Sequence, residues 1–247
     1  MRKIICLSLL FSVFFLLGCI GPDRALLIYC GNTMRPAMEL LAKSYEAKTG
    51  VKTEFSFGDS SELFAQVELS KKGDLFIVHE PYMEQFSERG LIAEYKDIAF
   101  LQPVLVVASE NPRKINGLDD LAKKGIRLGW GEPEFSLAGK LTEDYLKQEK
   151  MYENLSKNLK VKTRSSSELA NAIKLKTLDA AFIWNASVKQ FSDSLKQIKL
   201  QKKLPAARVS LAVLKSSVNP GAAKDFLDYA ASDEGRAAFI ICGFKSK

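Results

Sequence analysis

The stretch LLIYCGNTMRPAMELLAKSYEAKTG, residues 26–50, contains a strand, a turn and a helix in that order. Leu26–Cys30 is apolar or aromatic throughout, which predicts a strand that is covered on both faces. The polar turn Gly31–Pro36 follows, and its proline is well placed for the first turn of a helix. Helical spacing then runs through Pro36–Lys48 and stops at Gly50. Repetition of this unit predicts an α/β fold.

The same alternation continues to the end of the chain. Further strands are predicted at Lys52–Phe57, Leu75–Val78, Pro103–Ser109, Ile126–Trp130, Leu159–Thr163, Ala180–Trp184 and Val209–Leu214. Further helices are predicted at Ser61–Lys71, Pro81–Arg89, Ala138–Gln148, Ser167–Lys174 and Pro220–Tyr229. Strand–helix–strand alternation predicts mainly parallel sheets flanked by helices.

The N-terminus has the layout of a secretory signal. Arg2 and Lys3 precede the apolar run Ile4–Leu17, which is too short to span a bilayer comfortably. The run ends in LLGC, residues 16–19, which resembles a bacterial lipobox. We therefore expect a signal peptide over residues 1–18, a lipid on Cys19, a short tether over residues 19–25 and an extracytoplasmic, membrane-anchored protein. The alternative is an ordinary signal peptide in which Cys19 is incidental.

Charge and cysteine content exclude some classes of protein. Loss of the signal peptide lowers the formal net charge from +7 to +5, and the lysines are scattered, so no nucleic-acid groove is indicated. Only Cys30 and Cys242 would remain as thiols, and they could either stay free or pair in an oxidising compartment. No C-x-x-C pair is present, so a zinc or redox site has no support.

Four polar turns stand between a predicted strand and a predicted helix: Gly31–Pro36, Gly58–Ser61, Gly131–Gly139 and Arg164–Ser167. Each would place backbone N–H groups and a hydroxyl at the positive end of a helix, which suits an anion. Capping explains any one of them, because Ser and Thr are preferred N-caps. Four in one α/β chain favour a shared anion site, because such turns gather at one crevice.

Catalytic and metal sites have little support. His79 is the single histidine, and no Gly-x-Ser-x-Gly elbow accompanies it, so it is interpreted as a structural residue just past a strand end. Further metal ligands at a telling spacing from His79 and Glu80 are lacking. The sequence predicts neither an enzyme nor a bound cofactor or metal.

Several stretches, in order along the whole mature chain, resemble periplasmic molybdate-binding proteins, which are solute-binding proteins of ABC transporters with a type II two-lobed fold. The stretches are Leu27–Thr33, Glu39–Val51, Phe55–Leu63, Gly73–Ile77, Gly129–Pro133 with Ala138–Gly139, Ala180–Ala186 and Cys242–Phe244. The resemblance implies two α/β lobes joined by two crossover strands, near Leu105–Ser109 and Val209–Leu214. Lobe I would then comprise residues 26–106 plus 212–247, and lobe II residues 107–211.

The resemblance also implies ligand positions. The hydroxyls of Thr33 and Ser60, backbone N–H groups at Ala138 and Ser166, and the side chain of Trp184 would contact the anion. The Ser166 position carries a one-residue ambiguity toward Ser165. The neighbouring turn residues Asn32, Asp59 and Ser61 complete the expected set.

Two residues depart from the family pattern. Trp184 stands where the family has a tyrosine, and its indole N–H can still donate a hydrogen bond. Asp59 stands where the family usually has a serine, and a carboxylate beside a dianion is repulsive. The favoured interpretation is that Asp59 caps its helix and faces solvent. The alternative is that Asp59 accepts a proton from a ligand such as hydrogen phosphate.

The function that the resemblance implies is capture of a small tetrahedral oxyanion, molybdate or tungstate first, by neutral donors in the interlobe cleft. A monomer would deliver the ligand to an ABC permease and its ATPase. One alternative keeps the fold but binds phosphate or a small phosphorylated or carboxylated organic anion. Another is a surface adhesin or sensor lipoprotein.

Overall fold

The computed structural model describes residues 25–246. The expected signal peptide, Cys19 and nearly all of the expected tether therefore lie outside the described residues. The described chain forms two five-stranded sheets, each flanked by helices. The strands are β1 (Leu26–Gly31), β2 (Thr53–Gly58), β3 (Leu75–His79), β4 (Ile92–Leu101), β5 (Pro103–Ala108), β6 (Leu128–Gly131), β7 (Leu159–Thr163), β8 (Ala180–Trp184), β9 (Leu195–Ile198) and β10 (Ala207–Leu214).

A short 3-10 turn, Asn32–Met34, follows β1 and leads into the first of ten α-helices in the described part of the chain. The helices are α1 (Arg35–Thr49), α2 (Ser60–Ser70), α3 (Tyr82–Glu88), α4 (Leu118–Leu121), α5 (Leu137–Gln148), α6 (Tyr152–Ser156), α7 (Ser166–Lys174), α8 (Asn185–Gln190), α9 (Pro220–Ala231) and α10 (Asp233–Ile241).

The two sheets have matching topologies. Lobe I has the order β2-β1-β3-β10-β4, and lobe II has the order β7-β6-β8-β5-β9. In lobe I only β10 runs against the other strands, and in lobe II only β5 does so. Each reversed strand is the first strand after a crossover: β5 follows β4 of lobe I, and β10 follows β9 of lobe II. The two-lobed α/β fold is thus confirmed, with mixed sheets in which most strands share one direction.

Side chains alternate between the two faces of each sheet, so buried strands need apolar residues at every position. In β1, Ile28 and Cys30 face a core covered by α1, α9 and α10, whereas Tyr29 faces a second core covered by α2 and α3. Lobe II repeats the scheme, with α5 and α6 on one face and α7 and α8 on the other. This layering explains the continuous apolar runs.

The crossovers fall at different residues from those expected. The chain passes into lobe II at Gln102, between β4 and β5, and returns over residues 199–206, between β9 and β10. Hence Leu105–Ser109 belongs to lobe II and Val209–Leu214 to lobe I, instead of spanning the lobes, and the expected boundaries at 106/107 and 211/212 are displaced. The displacement arises because Leu105–Ser109 and Val209–Leu214 are apolar as inner strands of their sheets, so their pattern reports burial and does not mark the crossing.

The two cysteines and the lengths of the helices bear on disulfide bonding and on membrane attachment. Cys30 and Cys242 are both free thiols, Cys30 buried and Cys242 half-buried, so no disulfide joins them. Burial raises the pKa of the Cys30 thiol well above its usual value. No helix within residues 25–246 is long and apolar enough to cross a membrane.

Candidate functional site

A cleft with a volume of about 1040 Å³ separates the lobes. It lies at the carboxyl ends of the strands that share one direction, where open α/β sheets bind ligands. All four polar turns singled out in the sequence contribute residues to its wall. Of the expected ligand-binding set, seven members line it: Asn32, Thr33, Asp59, Ser60, Ser61, Ser166 and Trp184.

The first two turns form the lobe I wall. Thr33 lies in the 3-10 turn between β1 and α1 and is half-buried. Ser60 is the first residue of α2 and is also half-buried. Neither hydroxyl is engaged by another residue of the described chain. Both are therefore available to donate a hydrogen bond into the cleft.

Asp59 occupies the N-cap position of α2, but its side chain makes no capping hydrogen bond. The expected capping role is therefore wrong, although the exposure to solvent is as expected. Instead, Asp59 Oδ1 accepts a hydrogen bond from Asn32 Nδ2 at 3.2 Å, which joins the two turns. The amide draws the carboxylate toward the first turn and occupies one of its acceptor sites.

The third turn brings α5 unusually close to the end of β6. A Cβ atom on Gly139 would lie 2.0 Å from the carbonyl oxygen of Gly131, so only glycine fits there. Ser136 is the N-cap of α5, and its Oγ accepts from Gly139 N–H at 3.3 Å, which leaves the hydroxyl proton free. Ala138 is 3% exposed, and its side chain does not line the cleft. Its contribution as a backbone donor remains a prediction.

The fourth turn carries a capping box. Ser165 is the N-cap of α7: its Oγ accepts from Glu168 N–H at 3.3 Å and donates to the Glu168 carboxylate at 2.7 Å. The hydroxyl oxygen of Ser166, the first residue of α7, accepts a hydrogen bond from the backbone N–H of Trp184 at 3.1 Å. The capping role thus falls to Ser165, and the Ser166 hydroxyl proton remains free for a ligand.

Trp184 closes β8 at the cleft and is only 5% exposed. The next residue, Asn185, is tied to the crossover, donating to Gln102 O at 2.9 Å and accepting from Gln102 N–H at 2.7 Å. Trp184 Nε1 finds no acceptor among residues 25–246, whereas the other tryptophan, Trp130, donates to Glu143 at 3.0 Å. An indole N–H that has accessible surface at the cleft and no protein partner is suited to a bound acceptor.

His79 ends β3 and lines the cleft, which the sequence interpretation as a structural residue did not include. Its ring centroid lies 5.9 Å from that of Trp184 across the interlobe gap and 6.0 Å from that of Tyr82. Nδ1 contacts Glu80 O at 2.7 Å. Burial lowers the pKa of His79 below its ordinary value.

The charges around the cleft are mostly negative. Five carboxylates line it: Asp59, Glu62, Glu80, Glu84 and Glu134. The lysine and arginine side chains of the lining are Lys140 and Arg164. Lys140 pairs with Asp144 at 2.6 Å, and the Arg164 guanidinium stacks on Phe135 at 4.4 Å. An anion must therefore be held mainly by neutral donors and helix dipoles.

Sequence reasoning placed Ser136 in the third turn without naming it as a ligand residue, and it missed Tyr82 and Glu84 as cleft residues. Ser136 had a usable signal, because it stands directly before the helical pattern that contains Ala138. Tyr82 and Glu84 had no such signal, because the sequence of a short helix does not show which of its faces lies toward the other lobe. Within the described chain, no group of three or more His, Cys, Asp or Glu side chains could hold a metal ion.

Two lobes with matching sheets, joined by two crossovers around a polar cleft, define a binding protein that takes a small ligand between its lobes. The chain matches the family described as bacterial extracellular solute-binding protein over residues 26–245, and it belongs to that family.

Relatives agree with this assignment. The molybdate-binding protein ModA of Haemophilus influenzae is 26% identical over 239 residues, covering 89% of each chain. A solved substrate-binding domain assigned to a molybdenum ABC transporter of Clostridium difficile is 24% identical, with a TM-score of 0.79 and coverage of 90% of this chain and 99% of that one. PEB3 of Campylobacter jejuni, solved with bound L-phospholactate, is 20% identical, with a TM-score of 0.74 and coverage of 90% and 100%. The resemblance to molybdate-binding proteins is thus confirmed.

Proposed function

We propose that this solute-binding protein captures a solute with a tetrahedral oxyanion group, molybdate or tungstate being the first candidates, and delivers it to an ABC permease driven by an ATPase. It performs no chemistry on the solute. The observation that carries the proposal is the set of free donors around one cleft: the hydroxyls of Thr33, Ser60, Ser136 and Ser166 and the indole N–H of Trp184.

The energetics allow useful affinity. A hydrogen bond to a charged group contributes about 1.5–3 kcal/mol. Five such bonds, one from each of these donors, would contribute roughly 7.5–15 kcal/mol, against an association cost of about 4–15 kcal/mol. These donors are therefore sufficient for micromolar or tighter binding, without a lysine or arginine side chain in contact with the ligand.

Neutral donors also give selectivity by protonation state. A site that presents only N–H and O–H donors favours an anion with no proton left to donate. Asp59 is the carboxylate nearest to the donor turns, and its hydrogen bond from Asn32 turns part of its acceptor capacity away from the ligand. The carboxylate keeps its charge, so the hydrogen bonds from the other donors must outweigh its repulsion of a fully deprotonated oxyanion.

A second candidate is phosphate or a small organic phosphate. The observation that favours it is the size of the cleft, about 1040 Å³, which exceeds the needs of a four-oxygen anion.

We also infer that Cys19 carries the lipid that holds the protein at the membrane. The proposal rests on the LLGC sequence at residues 16–19 behind an apolar run. Stable attachment needs more than one acyl chain, which a lipoprotein cysteine provides.

Titration calorimetry of the mature protein with molybdate, tungstate, sulfate and phosphate tests the proposed function. We expect micromolar or tighter binding of at least one of these anions, with one ligand per chain. An absence of binding to all of them and to simple phosphate esters would contradict the proposal.

A further inference from the structure

The lobe I side of the cleft presents hydrogen-bond acceptors that a fully deprotonated oxyanion such as molybdate cannot use. They belong to His79, at the end of β3, and to Glu80 and Glu84, beside and within α3. These three residues are called the acceptor wall below. The wall lies across the interlobe gap from the lobe II donors Ser136, Ser166 and Trp184.

His79 is an acceptor because of its own hydrogen bond. The carbonyl oxygen of Glu80 can only accept, so Nδ1, at 2.7 Å, carries the proton. Burial lowers the pKa of the ring and thereby keeps it neutral near pH 7. Nε2 therefore holds a lone pair, and no donor from residues 25–246 reaches it.

Glu84 adds a carboxylate oxygen in need of a donor. One of its oxygens accepts from Arg208, but Oε2 is buried and has no hydrogen-bond partner in the described structure. Arg208 is shared with Glu80 at 3.0 Å and lies 4.0 Å from Asp97, so one guanidinium faces three carboxylates. Buried polar atoms in folded proteins are normally satisfied, so Oε2 needs a donor that the described chain does not supply, and the Glu84 side chain can present it to the cleft by rotation.

Trp184 supplies an independent observation on the opposite side. Its side chain is 5% exposed, lines the cleft and has no acceptor for Nε1 within the described part of the chain. The ring centroids of Trp184 and His79 are 5.9 Å apart. A donor and an acceptor without protein partners thus border the same cleft, and one ligand that carries both an acceptor group and a donor group can satisfy both.

We propose that the natural solute is a small phosphate monoester whose carbon part carries a hydrogen-bond donor, either a hydroxyl or an ammonium group. The phosphate occupies the donor cluster, and the donor group contacts the acceptor wall. This inference rests on the proposed function and names the solute class for the same site. Molybdate and tungstate fill only the donor cluster. The five carboxylates of the cleft favour an ammonium group over a hydroxyl group.

Matched ligands test the inference in the wild-type protein. O-Phosphoethanolamine and propyl phosphate differ by an ammonium group in place of a methyl group, and glycerol 3-phosphate and propyl phosphate differ by two hydroxyl groups. By calorimetry, we expect at least one donor-bearing ester to bind about tenfold or more tightly than its donor-free match, because it gains a charge-assisted hydrogen bond. Equal affinities within both pairs would overturn the inference.

Two variants test whether the preference for donor-bearing esters arises at the acceptor wall. Glu84→Gln and His79→Phe should each remove most of the preference while leaving propyl phosphate affinity within about twofold of the wild type. Glu134→Gln, a cleft carboxylate on the lobe II side, is the matched control and should keep the preference. His79→Phe retains a ring against Trp184, and it decides the outcome if Glu84→Gln unfolds through loss of its Arg208 pair.

The two proposals fail in different ways. Tight binding of molybdate or phosphate without any preference for donor-bearing esters overturns the acceptor wall and leaves the oxyanion function intact. A preference that survives in both variants likewise overturns the wall. Failure of every oxyanion and ester to bind overturns the oxyanion function and the wall together.

Discussion

Replacing Trp184 by phenylalanine removes one hydrogen-bond donor from the cleft while keeping an aromatic ring. Because Nε1 has no acceptor among residues 25–246, the fold loses no hydrogen bond. A bound oxyanion loses one charge-assisted bond of about 1.5–3 kcal/mol, so we expect affinity to fall roughly 10- to 150-fold. Calorimetric titration of Trp184→Phe with the tightest-binding oxyanion measures this change.

Trp130→Phe is the matched control, because the chain has two tryptophans and only one lies in the cleft. Trp130 is fully buried in lobe II, and its Nε1 donates to Glu143 at 3.0 Å. We expect this variant to lose about 1–3 kcal/mol more unfolding free energy than Trp184→Phe, from the broken buried hydrogen bond, with unchanged affinity. If Trp184→Phe binds within twofold of the wild type, or if both variants lose affinity equally, the donor role of Trp184 is refuted.

The remaining predictions concern other groups of the site and the N-terminus. Thr33→Ala and Ser60→Ala should each weaken oxyanion binding by about 1.5–3 kcal/mol with little loss of stability; unchanged calorimetric affinity in both would show that the hydroxyls serve only the turns. Asp59→Ser should leave molybdate affinity equal or slightly improved, because a nearby like charge is removed, and a tenfold loss would point to proton sharing. Burial lowers the pKa of His79, so the unfolded chain takes up its proton first. The unfolding free energy should therefore fall as pH drops below the ordinary value of 6.5 and level off below the folded pKa; urea unfolding of His79→Phe should lack this step. Cys19→Ala should be absent from the membrane fraction, and its retention there after signal cleavage would contradict lipidation.

The sequence predicted the fold well because its strands are buried on both faces. Runs such as Leu26–Cys30 and Ala180–Trp184 are apolar throughout and lie in the middle of their sheets. The strands that were missed, β4 and β9, are edge strands that mix polar and apolar residues, as in Ile92–Leu101. Edge strands have a solvated side, so their pattern carries less information.

The sequence predicted the site residues whose positions depend on the local turn sequence. It missed those whose positions depend on packing between distant segments. Ser60 and Ser166 begin helices beside the cleft because serine and glycine after a strand end favour that turn. The side-chain cap expected of Asp59 is wrong because the Asn32 amide, distant in sequence, competes for its carboxylate. The unpaired oxygen of Glu84 depends on packing against another segment, which no local pattern encodes.

A crystal of the mature protein grown with tungstate tests the central claim most directly, because tungsten can be located by its anomalous scattering. The account predicts one strong peak in the cleft between Trp184 and the turns at Thr33 and Ser60, with an oxyanion oxygen within about 3.2 Å of Trp184 Nε1. A tungsten site outside the interlobe cleft, or an empty cleft at saturating tungstate, would contradict the claim that these donors hold an oxyanion.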